Sequence, residues 1–441
     1  MSQTEIFEGA RRRTARITLA ILVVVNVMSQ LDRQIMNVLL PKVQQDLLLS
    51  DTQAGMLVGF AFAVCYSLAG LPLARFADRS SRSRLIVAAL AVWSAMTAAC
   101  GLARNFFELF LARIGVGLGE AGCAPASHSL LSDHFPRAHR GRALATYQLG
   151  VPIGILIGSV VGGSLSDHLA WRSVFFVFGL PGLGLALFTY FVLREPPRGG
   201  FDGRVDPGVE PIGEILRFFG RRAAMRQILV AATLHTLAVG AHVTFNFTFL
   251  TRVHDLSGTQ AGLVIGLLTG LFGGLGTYLG GWLGDRFGAR DPRWYLWWLA
   301  LGALASIPFS LTAYLVSSTP LAIVALSISV VGSYFYTGAC HVVAQSLARP
   351  RMRAITASIM LFSMNLLGYG LGPPIAGAIS DALGGEDALR HALALMNAVL
   401  LWACLHYVLA ARTYREDLAA EAALVPGPLT PLRRSTGPSL P

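Results

Sequence analysis

Two stretches of this chain place ionisable side chains inside apolar sequence. The first is Asn26-Val-Met-Ser-Gln-Leu-Asp32-Arg33-Gln-Ile-Met-Asn37, within an apolar run from about Ile17 to Leu40. The second is Arg113-Ile-Gly-Val-Gly117-Leu-Gly119-Glu120. A charge at bilayer depth costs roughly 2.5–3.5 kcal/mol on insertion scales, so it is kept only where it faces a partner or water. Burial works against a charged carboxylate and a neighbouring guanidinium works for it, which poises such a group to exchange a proton as its access to water changes. Asp32 and Glu120 are therefore the expected proton-coupling pair. Arg33 and Arg113 are their expected charge partners and could greet an anionic headgroup. A static buried ion pair joining two helices is the alternative.

The elements that must position these groups follow from composition. The chain has 441 residues, of which 54% are hydrophobic and 13% charged, against about 25% charged in a soluble domain. Repeated apolar runs of membrane-crossing length predict an all-α membrane protein. Spans are expected near 16–40, 54–76, 84–103, 106–133, 141–166 and 172–193, then near 224–250, 258–284, 293–316, 320–347, 353–380 and 388–411. Twelve spans make a six-helix half over 1–193, a polar linker over 194–222 and a second half over 223–411. The Pro-rich tail, 412–441, is expected to be disordered.

The net charge of +11 does not imply nucleic acid once the charges are placed. Arg79, Arg82 and Arg84, then Arg137, Arg140 and Arg142, then Arg286, Arg290 and Arg293, then Arg349, Arg351 and Arg353 all fall in loops of one parity. The opposite loops carry few basic residues. By the positive-inside rule both termini and the linker are expected in the cytoplasm. The five cysteines have no ligand or redox spacing and read as small buried hydrophobes. The apolar run after Arg11-Arg-Arg-Thr-Ala-Arg16 lacks a cleavage site and contains Asp32, so it reads as a retained span. Nucleotide-binding, zinc-protease and nucleophile-elbow motifs are absent, and neither cofactor nor metal is expected.

Asp32 lies roughly 15 residues into its span, about 22 Å at 1.5 Å per residue, and Glu120 lies about as far from the other face. Both therefore fall near mid-depth. Arg113 and Glu120, two turns apart, share a face. Internal repeats support a central site: Gly281-Trp-Leu-Gly284-Asp285-Arg286 echoes the stretch ending Asp78-Arg79-Ser-Ser-Arg82. Gly158 through Asp167 likewise echoes Gly372 through Asp381. Two parallel six-helix halves around a midplane site are the architecture this implies. Asp78, Arg79, Arg82, Asp285 and Arg286 are the expected cytoplasmic gate, the aspartates capping helix N-termini of the opposite half. The glycines 150, 154, 158 and 162, and 262, 266, 270 and 274, mark faces of close helix approach. Asn37, Tyr147, His242, Asn246, Tyr336 and Asn365 are candidates to line the substrate path, each with an interhelical hydrogen bond as its alternative role.

At these residues the chain resembles major facilitator superfamily transporters. Gly281 to Arg290 fits the superfamily's loop signature, and Ala74 to Arg82 keeps the signature's charges with Ala74 and Ser81 where glycine is usual. Arg113, Gly117 and Gly119 resemble its fourth-helix pattern. Gly154, Gly158, Gly162 and Gly163 resemble its antiporter pattern, with Ser159 in place of proline. Within the superfamily, Leu31-Asp32-Arg33, Gly117-Leu-Gly119-Glu120-Ala121 and Pro152-Ile-Gly154 resemble the spinster family. That resemblance implies a proton-linked exporter of lysolipids, not an enzyme, with Asp32 and Glu120 as its working carboxylates and Arg33 as their basic neighbour. The expected partners are protons, membrane lipid and an amphiphilic anion such as a lysophospholipid or a sphingosine-phosphate-like lipid. A small organic anion or drug substrate is the alternative. A monomer in a bacterial inner membrane is the expected form.

Overall fold

The computed structural model describes residues 3–196, 212–349 and 351–423. Most of the expected linker and the Pro-rich end of the tail lie outside the described residues. The described residues form twelve helical passes. Helix α1 is Gln3–Leu47, and α2 comprises Asp51–Gly55, a π turn over Met56–Phe60 and Ala61–Arg79. Helix α3 is Arg82–Cys100, and α4 is Phe106–Glu120 followed by Cys123–His134. Helix α5 is Arg137–Gln148 followed by Gly150–His168, and α6 is Trp171–Val192. In the second half α7 is Ala223–Arg252, and α8 comprises Gly258–Gly266, a π turn over Leu267–Phe272 and Gly273–Gly288. Helix α9 is Trp294–Leu315, and α10 is Thr319–Ser333 followed by Tyr336–Leu347. Helix α11 comprises Arg353–Ser363, a π turn over Met364–Tyr369 and Gly372–Leu383, and α12 is Ala388–Ala422.

Eleven of these passes are long and apolar enough to cross a bilayer. The twelfth, α4, is broken after Glu120 into pieces of 15 and 12 residues. One expectation is corrected. Helix α12 runs to Ala422, so the tail is not disordered from 412. Its extension is held by polar contacts that hydropathy does not register: Asp417 accepts from the Ala224 backbone N–H at 2.8 Å, and Glu421 receives Arg222 at 2.7 Å and Arg349 at 2.9 Å. Within the linker, Ile212–Arg221 forms a helix, with Ile215, Phe218 and Phe219 buried against the second half.

Packing divides the molecule along its depth. One apolar core joins the halves where α2 and α8 begin, with Leu31, Ile35, Leu57, Phe245, Ala261 and Ala376 in the same cluster. Toward the arginine-rich face the cores separate. One contains Ile86, Trp93, Val116 and Leu130 of the first half, and the other Ile228, Leu296, Tyr336 and Met360 of the second. Glycines measure the same divergence. A Cβ on Gly262 would strike the Ser159 backbone, and one on Gly266 would meet Leu156 at 3.0 Å. One on Gly270 would find Pro152 only at 3.7 Å, and at Gly274 and Gly281 there is nothing within 4 Å. Between α2 and α11 the same trend holds: a Cβ on Gly59 would meet the Tyr369 carbonyl at 2.8 Å, while one on Gly70 would meet nothing within 4 Å. The halves therefore close on one face, called here the capped face, and part on the basic face. The other ladder, Gly150 to Gly162, packs within the first half, on Asn26, Gln30, Gln34 and Ile35 of α1.

Arg82 braces the basic end of the first half. It is 2% exposed, pairs with Asp133 of α4 and reaches Glu195 beyond α6 at 2.7 Å. Burial works against the charged form of Glu195, but the Ser83 N–H and the Arg82 guanidinium outweigh it and hold this carboxyl below the usual range. A lowered folded-state value gives stability that is complete above the unfolded value of about 4.3 and is lost as pH falls through the lower folded value. Glu195→Gln is accordingly expected to lower the melting temperature in detergent at pH 7 by a few degrees. The gap to wild type should close as pH falls below about 4, as a pair of thermal scans across that range would check.

Candidate functional site

The three buried charges Asp32, Arg113 and Glu120 and the half-buried Arg33 converge where α1 and α4 approach. Glycines make this approach close: a Cβ at Gly117 would meet the Phe62 carbonyl of α2 at 2.6 Å, and one at Gly119 the Trp93 nitrogen of α3 at 2.7 Å. The R-x-x-x-G-x-G pattern thus presses α2 and α3 onto the α4 backbone and brings their side chains to the carboxylates. Glu120 is 2% exposed, and its Oε2 accepts from Arg33 Nε at 2.6 Å and Ser29 Oγ at 2.9 Å. The Arg33 guanidinium lies 4.5 Å from the centre of the Phe62 ring and 4.8 Å from that of Tyr66, and these two rings stack at 5.3 Å. This cation is therefore held by a carboxylate and by aromatic faces, an arrangement that suits guanidinium.

Asp32 is fully buried, and neither carboxyl oxygen accepts a hydrogen bond. Trp93 Nε1 and Thr97 Oγ1 stand beside it and are also unpartnered. Arg113, 2% exposed, makes a long 3.5 Å contact with the Leu57 carbonyl and lies 5.8 Å from the Phe62 ring. Two carboxyls thus sit in one pocket in different environments, one ion-paired and one with the Trp93 and Thr97 donors beside it but no hydrogen bond formed. Sequence reasoning missed Trp93 and Thr97; the i, i+4 placement of an indole and a hydroxyl on α3 was the available signal.

The remaining candidates separate. Tyr336 is stacked on His235 at 4.1 Å and lies 3.4 Å from the Tyr369 hydroxyl, giving the second half a neutral hydroxyl-bearing wall. Asn365 sits in the α11 π turn and donates to Leu361 O at 2.9 Å. Asn37 is buried, 3.4 Å from Gln34. Tyr147 is 3% exposed inside the first-half core, with its ring edge-on to His128. His242 bonds the Leu393 carbonyl at 3.1 Å, and Asn246 accepts from Tyr314 at 2.8 Å. This pair fastens α7 to α12 and α9, the interhelical alternative to lining a path.

The expected gate residues make no contact across the halves among the described contacts. Arg82 serves the first half as described, and Arg79 is exposed. Asp285 accepts from Tyr295 of α9 at 2.5 Å, and Arg286 lies 5.5 Å from the Trp282 ring. The Asp78 side chain lies outside the described ones. A gate formed by these residues belongs to a state in which the basic face is closed, and here that face is open.

The interruptions of α2, α4, α5, α8, α10 and α11 fall partway along their passes, several of them beside Phe62, Glu120, Tyr336 and Tyr369. Irregular helix at such depth recurs at functional sites.

The family model of the Major Facilitator Superfamily matches residues 22–373. An MFS-type efflux pump of Mycolicibacterium smegmatis is 33% identical over 422 residues, 94% of this chain and 96% of that protein. Protein spinster homolog 3 of Danio rerio is 23% identical over 395 residues, 84% of this chain and 78% of that one. A solved bacterial homologue of the human lysosomal transporter spinster, in an inward-facing and unoccupied conformation, superposes with a TM-score of 0.84. It is 29% identical, and the match covers 92% of this chain and 98% of that one. With its two six-helix halves, its midplane charges and these matches, the chain is an integral membrane protein that belongs to the Major Facilitator Superfamily.

Proposed function

We propose that the protein is a proton-coupled secondary transporter, an antiporter exporting an amphiphilic anion of lysolipid type across a bacterial inner membrane. The arginine-rich face is then cytoplasmic, as are both termini. One observation carries this reading. Arg33 is the accessible member of the charge cluster, its side chain 32% exposed, yet it is held by Glu120, whose side chain is 1% exposed. A proton delivered to Glu120 weakens that pair and frees Arg33 for an anionic head, so proton and substrate are coupled through one guanidinium. Asp32, fully buried and with neither oxygen hydrogen-bonded, is best accommodated carrying a proton, since an unpaired buried charge is costly. Phe62 and Tyr66 flank the cation and offer apolar faces to a tail. The proton gradient supplies the energy, and the reading invokes neither a cofactor nor an oligomer.

A second reading, proton-linked transport of a small organic anion, is favoured by the hydroxyl groups of Tyr336 and Tyr369 on the opposite wall. Purified protein in proteoliposomes, given a pH gradient and offered either a lysophospholipid or a small sugar acid, distinguishes the two. Lysophospholipid accumulation that collapses with the gradient is expected. Flux of the sugar acid alone would replace the first reading with the second, and lipid flux indifferent to the gradient would remove coupling.

A further inference from the structure

Helices α2 and α8 begin with the same six-residue pattern, Ser50-Asp51-Thr52-Gln53-Ala54-Gly55 and Ser257-Gly258-Thr259-Gln260-Ala261-Gly262. Each serine caps its own helix and each glutamine completes a capping box. Two backbone N–H groups of each first turn remain, and a helix N-terminus also carries partial positive charge. In both helices an aspartate from the other half takes them. Asp381 of α11 accepts from Asp51 N at 2.9 Å, Thr52 N at 2.9 Å and Thr52 Oγ1 at 2.5 Å. Asp167 of α5 accepts from Gly258 N at 2.8 Å, Thr259 N at 2.8 Å and Thr259 Oγ1 at 2.7 Å. The two aspartates end the repeated stretches 158–167 and 372–381, so the contacts are related by the internal symmetry of the chain.

We propose that Asp167 and Asp381 are positioning residues of the transport cycle, a symmetric pair of latches that holds the capped face shut while the basic face is open. Each carboxylate spans the halves and satisfies three donors that would otherwise lose their partners when the helices separate. Glycines let the latches close: a Cβ on Gly163 would strike the backbone of Gly258, and one on Gly377 the backbone of Asp51. Helix α1 braces both. Lys42 donates to the Ser166 carbonyl beside Asp167, and Gln44 donates to Asp51 at 2.7 Å. Asp51 also receives Arg252 at 3.1 Å and Ser380 at 2.6 Å, so the α2–α11 latch is the more heavily tied. The inference stands on membership of the superfamily and is independent of the substrate.

The test is pulsed electron–electron distance measurement on the full-length protein in nanodiscs, with Cys65→Ala to remove the half-exposed thiol. Spin labels at Ala170→Cys with Asp255→Cys, and at Leu48→Cys with Glu386→Cys, report the two latches separately. Wild type should give one short distance population at each pair. Asp167→Asn and Asp381→Asn should each move the open-to-closed ratio of the capped face about tenfold, the loss of charge-assisted hydrogen bonds. Together they should move it about a hundredfold, since the sites share no partner. Aspartate-to-glutamate variants should recover part of the closed population. If either asparagine variant fails to fold, Thr52→Val and Thr259→Val test the same latches by removing one donor each and should shift the ratio in the same direction. Unchanged distance populations in every folded variant would overturn the proposal.

Discussion

Arg33→Gln is expected to abolish high-affinity substrate binding and also to destabilise the protein, and the two effects should come apart in a second variant. The guanidinium is the partner of Glu120 at 2.6 Å, and that carboxylate has Ser29 as its remaining donor. Removing one member of a fully buried pair costs roughly 3–5 kcal/mol; with Arg33 32% exposed the loss here is smaller, and replacing both members removes the uncompensated charge. Arg33→Gln combined with Glu120→Gln should therefore recover the thermal stability lost in the single variant while leaving substrate binding undetectable. Thermal scans paired with a binding isotherm separate these outcomes. Recovery of binding in the double variant would mean that Arg33 serves only to neutralise Glu120 and does not meet the substrate.

The second large effect concerns closure rather than chemistry. A side chain at Gly163 meets the α8 backbone, with Gly262 Cα at 3.0 Å from a Cβ there. Backbone cannot swing aside as a flexible side chain can. Gly163→Val should wedge α5 from α8 at a cost of about 1–3 kcal/mol to the closed capped face, a tenfold to hundredfold change in its population. Transport should fall by a similar factor while each half, packed around its own core toward the basic face, stays folded. Gly274→Val lies on the same glycine series where a Cβ meets nothing within 4 Å, and it should leave the capped-face distances unchanged. Equal behaviour of the two variants in accessibility labelling of the capped face would contradict the account of how the halves meet.

Much of the fold was legible because a membrane makes sequence speak plainly. An apolar run of spanning length has few other uses, and arginine placement separates one set of loops from the other. Asp32 and Glu120 were legible for the same reason, since a charge in such a run requires an explanation. The breaks and π turns within α2, α4, α8 and α11 were not, because they change hydrogen-bond register without changing hydropathy. The ends of α1 and α12 were read too short, since polar residues that lie beyond the apolar run carry no window signal. His242 and Asn246 show another limit: a shared helix face does not say whether a partner helix or a path faces it, and here α9 and α12 do. Conformation was illegible in principle. A transporter sequence encodes both closures, and the loop signature around Asp285 directs attention to the basic face. The structure adopts the other closure, whose signal, the six-residue repeat at Ser50 and Ser257, sits in polar caps just outside the apolar windows.

The central claim is that Asp32 and Glu120 couple protons to transport, and comparing net gradient-driven flux with substrate exchange in proteoliposomes tests it most directly. Asp32→Asn and Glu120→Gln should each reduce net flux at least about a hundredfold, the scale of about 2.7 kcal/mol in coupling. Exchange of labelled for unlabelled substrate at equal pH should persist, because the path and the gates remain. Net accumulation at the wild-type rate in both variants would show that the pair is structural and that protons move elsewhere.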